Sequence, residues 1–423
     1  MTLGLDQRIN SRFNLNSTQK LFASLLFLAP IFAVSVRHWI SAIYVLLGLI
    51  SLFFLAKSWR DLRLDLTEKA LFLALIGYFL VFLLSSLLNT WDEGSWRMLE
   101  REARYLFLIP IYLYLRSNKS ATLYFGAGCL VGIVLNAVLV LVQSTVIGYG
   151  NDLGTYGPLF TGPVTILMLT AATLFIEKTF SANKAAALVL LVTLLAVFIA
   201  IQTSRSSLLG LLVWIAIYFL LISKLWRMRL LMLAMLCLVV LFFSQLNIVG
   251  RSGFDTAYNE TKNYLNFLYE RPGEVNPHAM TSVGTRLEML RTLPLFIRDY
   301  PFFGVGSYNY NGVVKKYVAT ENISPSVAMH GHPHNVFAEV LISKGLLGFF
   351  FFALIWVSAL RQIIAQNRWA EESRWYPVGF LLALFAMMLT ESAIATKGNF
   401  IACALLFLAV FMNYRNDGLR KNL

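Results

Sequence analysis

The residues most able to do chemistry lie together in His330-Gly331-His332-Pro333-His334-Asn335, a stretch that runs on through Glu339 to Gly345-Leu346-Leu347-Gly348. Histidine is the side chain that exchanges protons near neutral pH. In an extended segment, residues two apart point the same way, so His330, His332 and His334 could converge on a metal ion. Pro333 breaks that regularity, and Glu339 is the only nearby carboxylate that could complete such a site. A single imidazole working as a general base from the start of a helix fits better. His334 is the best placed, with Asn335 fixing its position and His332 in support. A histidine that merely satisfies a helix start is the plainer alternative.

Cations form the second set. Arg205, in Gln202-Thr203-Ser204-Arg205-Ser206-Ser207, falls between two apolar runs. A charge there is costly and needs a partner. It either snorkels to lipid headgroups or clamps an anion, since a guanidinium binds phosphate in two-pronged fashion. Arg286, in Gly284-Thr285-Arg286-Leu287, is followed by Arg291 and Arg298 and then by the apolar Asp299-Tyr300-Pro301-Phe302-Phe303-Gly304-Val305-Gly306. A solvated helix face is the usual account of such arginines. On a segment lying against a membrane they favour an anionic lipid head. Arg286 is then the second phosphate ligand, Arg291 a weaker choice and Arg298 the weakest. Lys344 and Glu391 are isolated charges in or beside apolar runs, each a possible supporting group.

Composition says what must position these residues. Of 423 residues, 58% are apolar and 13% charged, which describes an all-α polytopic membrane protein with no soluble surface of ordinary size. The net charge of +13 would suggest nucleic acid in a soluble chain; here it is expected in cytoplasmic loops. Neither a nucleic-acid nor a nucleotide partner is indicated, and no GxxxxGK[ST] loop is present. Cys129, Cys237 and Cys403 lie far apart in apolar runs and read as packing residues.

Runs long enough, or nearly so, to cross roughly 30 Å of hydrocarbon fall near 21–36, 39–56, 70–88, 105–116, 121–147, 158–176, 185–201, 208–222, 230–246, 336–360, 378–396 and 399–414. The run at 105–116 is short and needs Glu100 to Arg104 or Arg116 to snorkel. About twelve spans put both termini on one side. Lys and Arg concentrate in alternate loops, which makes that side the cytoplasm. Three parts result: an N-terminal set of about nine spans (1–246), a large outer loop with short helices (247–333), and about three spans with a cytoplasmic tail (334–423). Within the loop, 256–269 reads as helix, and 286–297 as an amphipathic helix after a cap at Ser282, interrupted by Pro294. Gly304-Val305-Gly306 reads as a flexible turn.

His334-Asn335, nine residues, then Gly345-Leu346-Leu347-Gly348 resembles the H[NSQ]x9GxxG signature of bacterial O-antigen ligases of the WaaL type, in the Wzy_C-like superfamily. Phe349-Phe350 replaces the Thr pair that often follows. Thr203-Ser204-Arg205 with Gly210, and Gly284-Thr285-Arg286 with the segment from Asp299 to Gly306, resemble two further parts of that family. The resemblance implies a GT-C-like inner-membrane glycosyltransferase with a periplasmic site, no cofactor and no metal. It would move polysaccharide from undecaprenyl diphosphate to a sugar hydroxyl of lipid A–core, with inversion. The same signature belongs to O-antigen polymerases and protein O-oligosaccharyltransferases. Outside that superfamily stand an anion transporter lined by Arg205 and Lys344, and a metal-dependent membrane hydrolase using the histidine triplet.

Overall fold

The computed structural model describes residues 17–58, 62–89, 93–118, 121–147, 157–223, 226–245, 254–307, 309–365, 375–391 and 398–413. Both termini and several loop charges used to orient the chain (Arg60, Lys119, Lys224, Arg368, Arg374, Lys397, Arg415, Arg420 and Lys421) lie outside these residues, as does most of the loop that follows Ile147.

The described residues are helical and contain no strand. Among the described residues, nine α-helices precede the large loop: α1 (Ser17–Ile31), α2 (Trp39–Ser58), α3 (Leu66–Leu88), α4 (Glu93–Ser117), α5 (Ala121–Val142), α6 (Pro158–Thr179), α7 (Ala182–Thr203), α8 (Arg205–Ile217) and α9 (Trp226–Gln245). The loop contributes α10 (Phe254–Glu270), α11 (Ser282–Arg291), α12 (Leu293–Asp299) and α13 (Tyr310–Thr320), and α14 (Val336–Ala365), α15 (Trp375–Thr390) and α16 (Gly398–Asn413) follow. Seven helical stretches among the described residues are long and apolar enough to cross a membrane, and α15 and α16 are shorter apolar helices. Leu73, Ile76, Leu80, Leu84 and Leu87 form an exposed apolar stripe along α3, a surface that suits hydrocarbon and not water. Cys129 and Cys403 pack inside, whereas Cys237 is exposed on α9.

The sequence expectation for α4 needs correcting. Two of its charges do not snorkel outward: Arg104 is buried and pairs with the exposed Glu100 at 2.6 Å, and Glu102 points inward to Lys344. In an apolar interior a charge is tolerated when a partner neutralises it. At the far end of α4, Arg116 and the Tyr112 hydroxyl both donate to the buried Glu68 carboxylate, and Gln362 donates to Tyr112. These bonds tie α3, α4 and α14 together.

α14 is one helix in name only. At Gly345 the backbone turns to φ 65° and ψ −167°, a region open essentially to glycine. The break removes the two helical bonds that Leu346 and Leu347 would make to Ile342 and Ser343. The segment 301–306 replaces them: Val305 N–H donates to Ile342 O and Gly306 N–H to Ser343 O, while Leu346 and Leu347 N–H donate to Pro301 O and Phe302 O. Backbone polar groups in an apolar setting must be satisfied, and here the loop satisfies them. A Cβ at Gly345 would lie 2.4 Å from the Phe302 carbonyl carbon, so any larger residue forces the latch apart. Gly304-Val305-Gly306 is therefore a pinned turn, not a flexible one. Asn89 at the end of α3 donates to Gly304 O, and Ser85 donates to Ser343 O.

The loop has its own small core of Met289, Phe296, Val305, Tyr310, Val314, Tyr317, Ile323 and Val327, which also takes in Ile342 of α14. The cap of α11 is Thr281, whose hydroxyl accepts from Gly284 N–H; Ser282 is already inside the helix. Pro294 separates α11 from α12 as expected, sitting in the first turn of the second helix, where its missing N–H costs nothing.

Candidate functional site

α8 begins at Arg205. Ser204 holds the start, its side chain accepting from Ser207 N–H, and the positive end of the helix dipole adds to the guanidinium. α8 and α15 run antiparallel: Gly210 lies against Met387 and Ala383, and Gly379 against Trp214 and Ile217. That register sets Arg205 level with Thr390 and Glu391. Asn335 closes the same end. Its side-chain oxygen accepts from Ala338 N–H to cap α14, and its amide donates to Leu389 O at the end of α15. The cap expected of Asn335 is thus present, and it also fastens two helices.

α11 brings Arg286 to this group. Burial holds its pKa below the ordinary arginine value, the Glu391 carboxylate opposes that, and the Arg205 charge adds to it. Arg286 in turn acts on His334, whose pKa is pushed down to about 4 by burial first, then by His332, Arg286 and His330. His334 therefore stays neutral at physiological pH with a lone pair available, as a general base requires. Its Nδ1 is buried with no hydrogen-bond partner among the described residues. Its backbone has φ 41°, an uncommon state for a residue with a side chain and one that clusters at functional sites.

Arg205, Arg286, His334 and Glu391 are thus assembled from four separate parts of the sequence. His332 stands beside His334, ring centroids 4.5 Å apart. Two other anticipated residues are engaged elsewhere. Arg291 bonds to Glu288 at 3.2 Å. Glu288 is fully buried and also accepts from the Tyr264 hydroxyl and Ser324 N–H, so that pair holds the loop together. Lys344 lies 2.9 Å from Glu102 and over the rings of Tyr78 and Phe82. Gly348 leaves room for the stem of Lys344, which a Cβ would strike at 2.2 Å. Among the described residues, no group of three or more His, Cys, Asp or Glu side chains is placed to hold a metal ion.

Sequence reasoning passed over two partners. Glu102 was treated as a charge at a span's edge, and no local signal links it to Lys344. His330 was read only as one of a triplet, yet its Nδ1 lies 3.4 Å from His334 Nε2.

The fold and this cluster define a polytopic helical membrane protein with a cationic, imidazole-bearing site where its large loop meets the bundle. Residues 188–353, less than half of the chain, match the family model Wzy_C, described as O-antigen ligase. The matched segment includes Arg205, Arg286, His334 and the latch at Gly345. Members of the family are glycosyltransferase-like enzymes, ligases or polymerases. A Haemophilus influenzae protein described as uncharacterized is similar at 24% identity over 354 residues, covering 81% of this chain and 84% of its own length.

Proposed function

We propose that this protein is an O-antigen ligase. It transfers polysaccharide from undecaprenyl diphosphate to a sugar hydroxyl of lipid A–core, at the periplasmic face of the bacterial inner membrane. The observation that carries this reading is the meeting of Arg205 and Arg286 with a neutral, half-buried His334. In a single displacement the acceptor oxygen attacks the anomeric carbon from the side opposite the diphosphate, and the configuration inverts. The sugar–phosphate bond breaks with its electron pair going to the diphosphate. Preplaced donors that stabilise such developing charge are each worth about 10²–10³ in rate. The acceptor proton passes to His334, a contribution of about 10²–10⁴. Arrival of the anionic donor opposes the burial and cations that depress the imidazole, so the base strengthens once the donor is bound. Asn335 fixes the backbone beside the base. Glu391 balances the paired arginines. Lys344 and Arg291 serve the scaffold, by their pairing with Glu102 and Glu288.

The remaining features of the proposal rest on three grounds: about twelve spans on the apolar runs, a GT-C-like arrangement on the family resemblance, and cytoplasmic termini with the loop outside on the charge pattern. Purified protein in proteoliposomes, supplied with undecaprenyl-diphosphate-linked O-antigen, tests the reaction. Offering lipid A–core, a second lipid-linked glycan or a protein identifies the acceptor. Elongated lipid-linked glycan without any ligated lipid A–core would make the protein a polymerase.

A further inference from the structure

His334 carries two ring nitrogens in different situations. Nδ1 is buried and unpartnered among the described residues, while Nε2 faces His330 Nδ1 at 3.4 Å with the two rings near perpendicular at 78°. One of those two facing nitrogens must carry a proton for a bond to form. We infer that His330 is a positioning residue for the transfer reaction: His334 Nε2–H donates to His330 Nδ1, leaving His334 Nδ1 as the atom that accepts the acceptor's proton.

This inference rests on the glycan-transfer reading above. Three observations support it. A buried, unsatisfied nitrogen is costly in a resting protein, and an incoming hydroxyl is the group that would satisfy Nδ1. The His334 backbone, at φ 41°, holds an uncommon state of the kind that clusters at functional sites, and its ring meets that of His330 edge-on. A separation of 3.4 Å is long for a hydrogen bond, but such bonds at active sites tighten as the reaction proceeds. When His334 takes up a proton at Nδ1 it becomes an imidazolium, and its Nε2–H then makes a charge-assisted bond to His330. The partner thus holds the ring before reaction and stabilises its cation during it.

The proton balance is complete. The acceptor O–H proton moves to His334 Nδ1 as the new carbon–oxygen bond forms. Afterwards Nδ1 gives that proton to the departed diphosphate or to water, while Nε2–H stays hydrogen-bonded to His330 Nδ1, so the starting tautomers of both rings are restored. The other titratable groups that act on His334 are His332 and Arg286, and Arg286 in turn lies in the field of Glu391 and Arg205.

Two variants and one spectrum test the assignment in the full-length protein. His330→Phe keeps an aromatic ring and removes the acceptor; kcat should fall about 10- to 100-fold, as for other orienting partners, with KM for the lipid-diphosphate donor unchanged within about twofold. His330→Asn restores an acceptor oxygen at the position of Nδ1 and should recover most of that loss. Nitrogen-15 histidine labelling should show His334 protonated at Nε2 and bare at Nδ1 at neutral pH. Wild-type kcat in His330→Phe, a gain in rate on freeing Nε2, equal loss in both variants, or a bare His334 Nε2 would each overturn the role of His330 while wild-type transfer stands. No transfer by the wild-type protein from any lipid-diphosphate donor would remove the reaction, and the role with it.

Discussion

Lys344 and Arg286 are both cations withdrawn from water, yet their surroundings differ in kind. Lys344 lies between a carboxylate and two aromatic faces, and Glu339 lies in the field of Lys344, Arg101 and Glu102, so that acids and bases alternate. Glu68 with Arg116 and Glu288 with Arg291 repeat the arrangement. Arg286 is surrounded differently: Arg205 and His334 belong to its neighbourhood, and Glu391 is the acid that opposes them. Matched charge in an apolar interior fixes helices relative to one another. Two arginines brought into one neighbourhood favour an anion there, an interaction that a ligand can use. Two clusters in one bundle thus divide the work, one holding the frame and one left incomplete at His334 Nδ1, which has no hydrogen-bond partner among the described residues.

The largest expected effect breaks the incomplete cluster alone. His334→Ala should reduce glycan transfer by about 10²–10⁴ while leaving thermal unfolding in detergent nearly unchanged. Normal transfer at equal protein levels would remove the base from the mechanism. The matched cluster should respond the other way. Lys344→Ala strands Glu102 in the interior and should cost about 3–5 kcal/mol in stability. Replacing both partners, Lys344→Met with Glu102→Leu, should restore much of that loss and with it the folded, active protein. If the double variant folded as wild type but transferred nothing, Lys344 would belong to the chemistry after all.

Arg286→Ala and Arg205→Ala sharpen the comparison. Each should lower transfer by about 10²–10³, with donor use more affected than acceptor use. The same Arg286 variant carries a pH signature. His334 has a pKa near 4 in the free protein, below the usual value of about 6.5, so the base is unprotonated until the medium becomes strongly acidic. Removing a neighbouring cation makes protonation easier, so the acid limb of kcat/KM should move to higher pH. A limb that stays in place would separate Arg286 from the imidazole.

Much of this was legible in the chain. The apolar runs anticipate most of the helices, because burial in lipid leaves a long, continuous signal. His334, Arg205 and Arg286 stand out because a charge or an imidazole at the edge of such a run is rare. The failures have a common physical origin in contacts between distant segments. Gly345 reads as one more small residue until the segment 301–306 is seen to bond into the gap it opens. Glu102 reads as a snorkelling charge until Lys344 is placed 2.9 Å away. The spacing of His330, His332 and His334 suggests three imidazoles on one side of a strand. The rings do gather, those of His330 and His332 lying 5.2 Å and 4.5 Å from that of His334, but the spacing does not tell that His330 Nδ1 faces His334 Nε2. Thr281 in place of Ser282 as the cap of α11 is a smaller miss, a shift of one residue between two hydroxyl side chains that can both cap.

The smallest effect belongs to Arg298, and it tests whether proximity in sequence to Arg286 is enough to matter. Arg298 is exposed and bonds Asp299 at 2.7 Å and Glu321 at 2.9 Å. Those two carboxylates raise its pKa through hydrogen bonds, so the guanidinium is already matched, as Arg291 is. In water such surface pairs contribute little. Arg298→Ala should therefore leave transfer within about twofold of wild type and should not move the acid limb, in contrast to Arg286→Ala. A loss as large as that from Arg286 would mean that positive charge anywhere on the loop attracts the anionic donor. The division between matched and incomplete clusters would then fail at its simplest point.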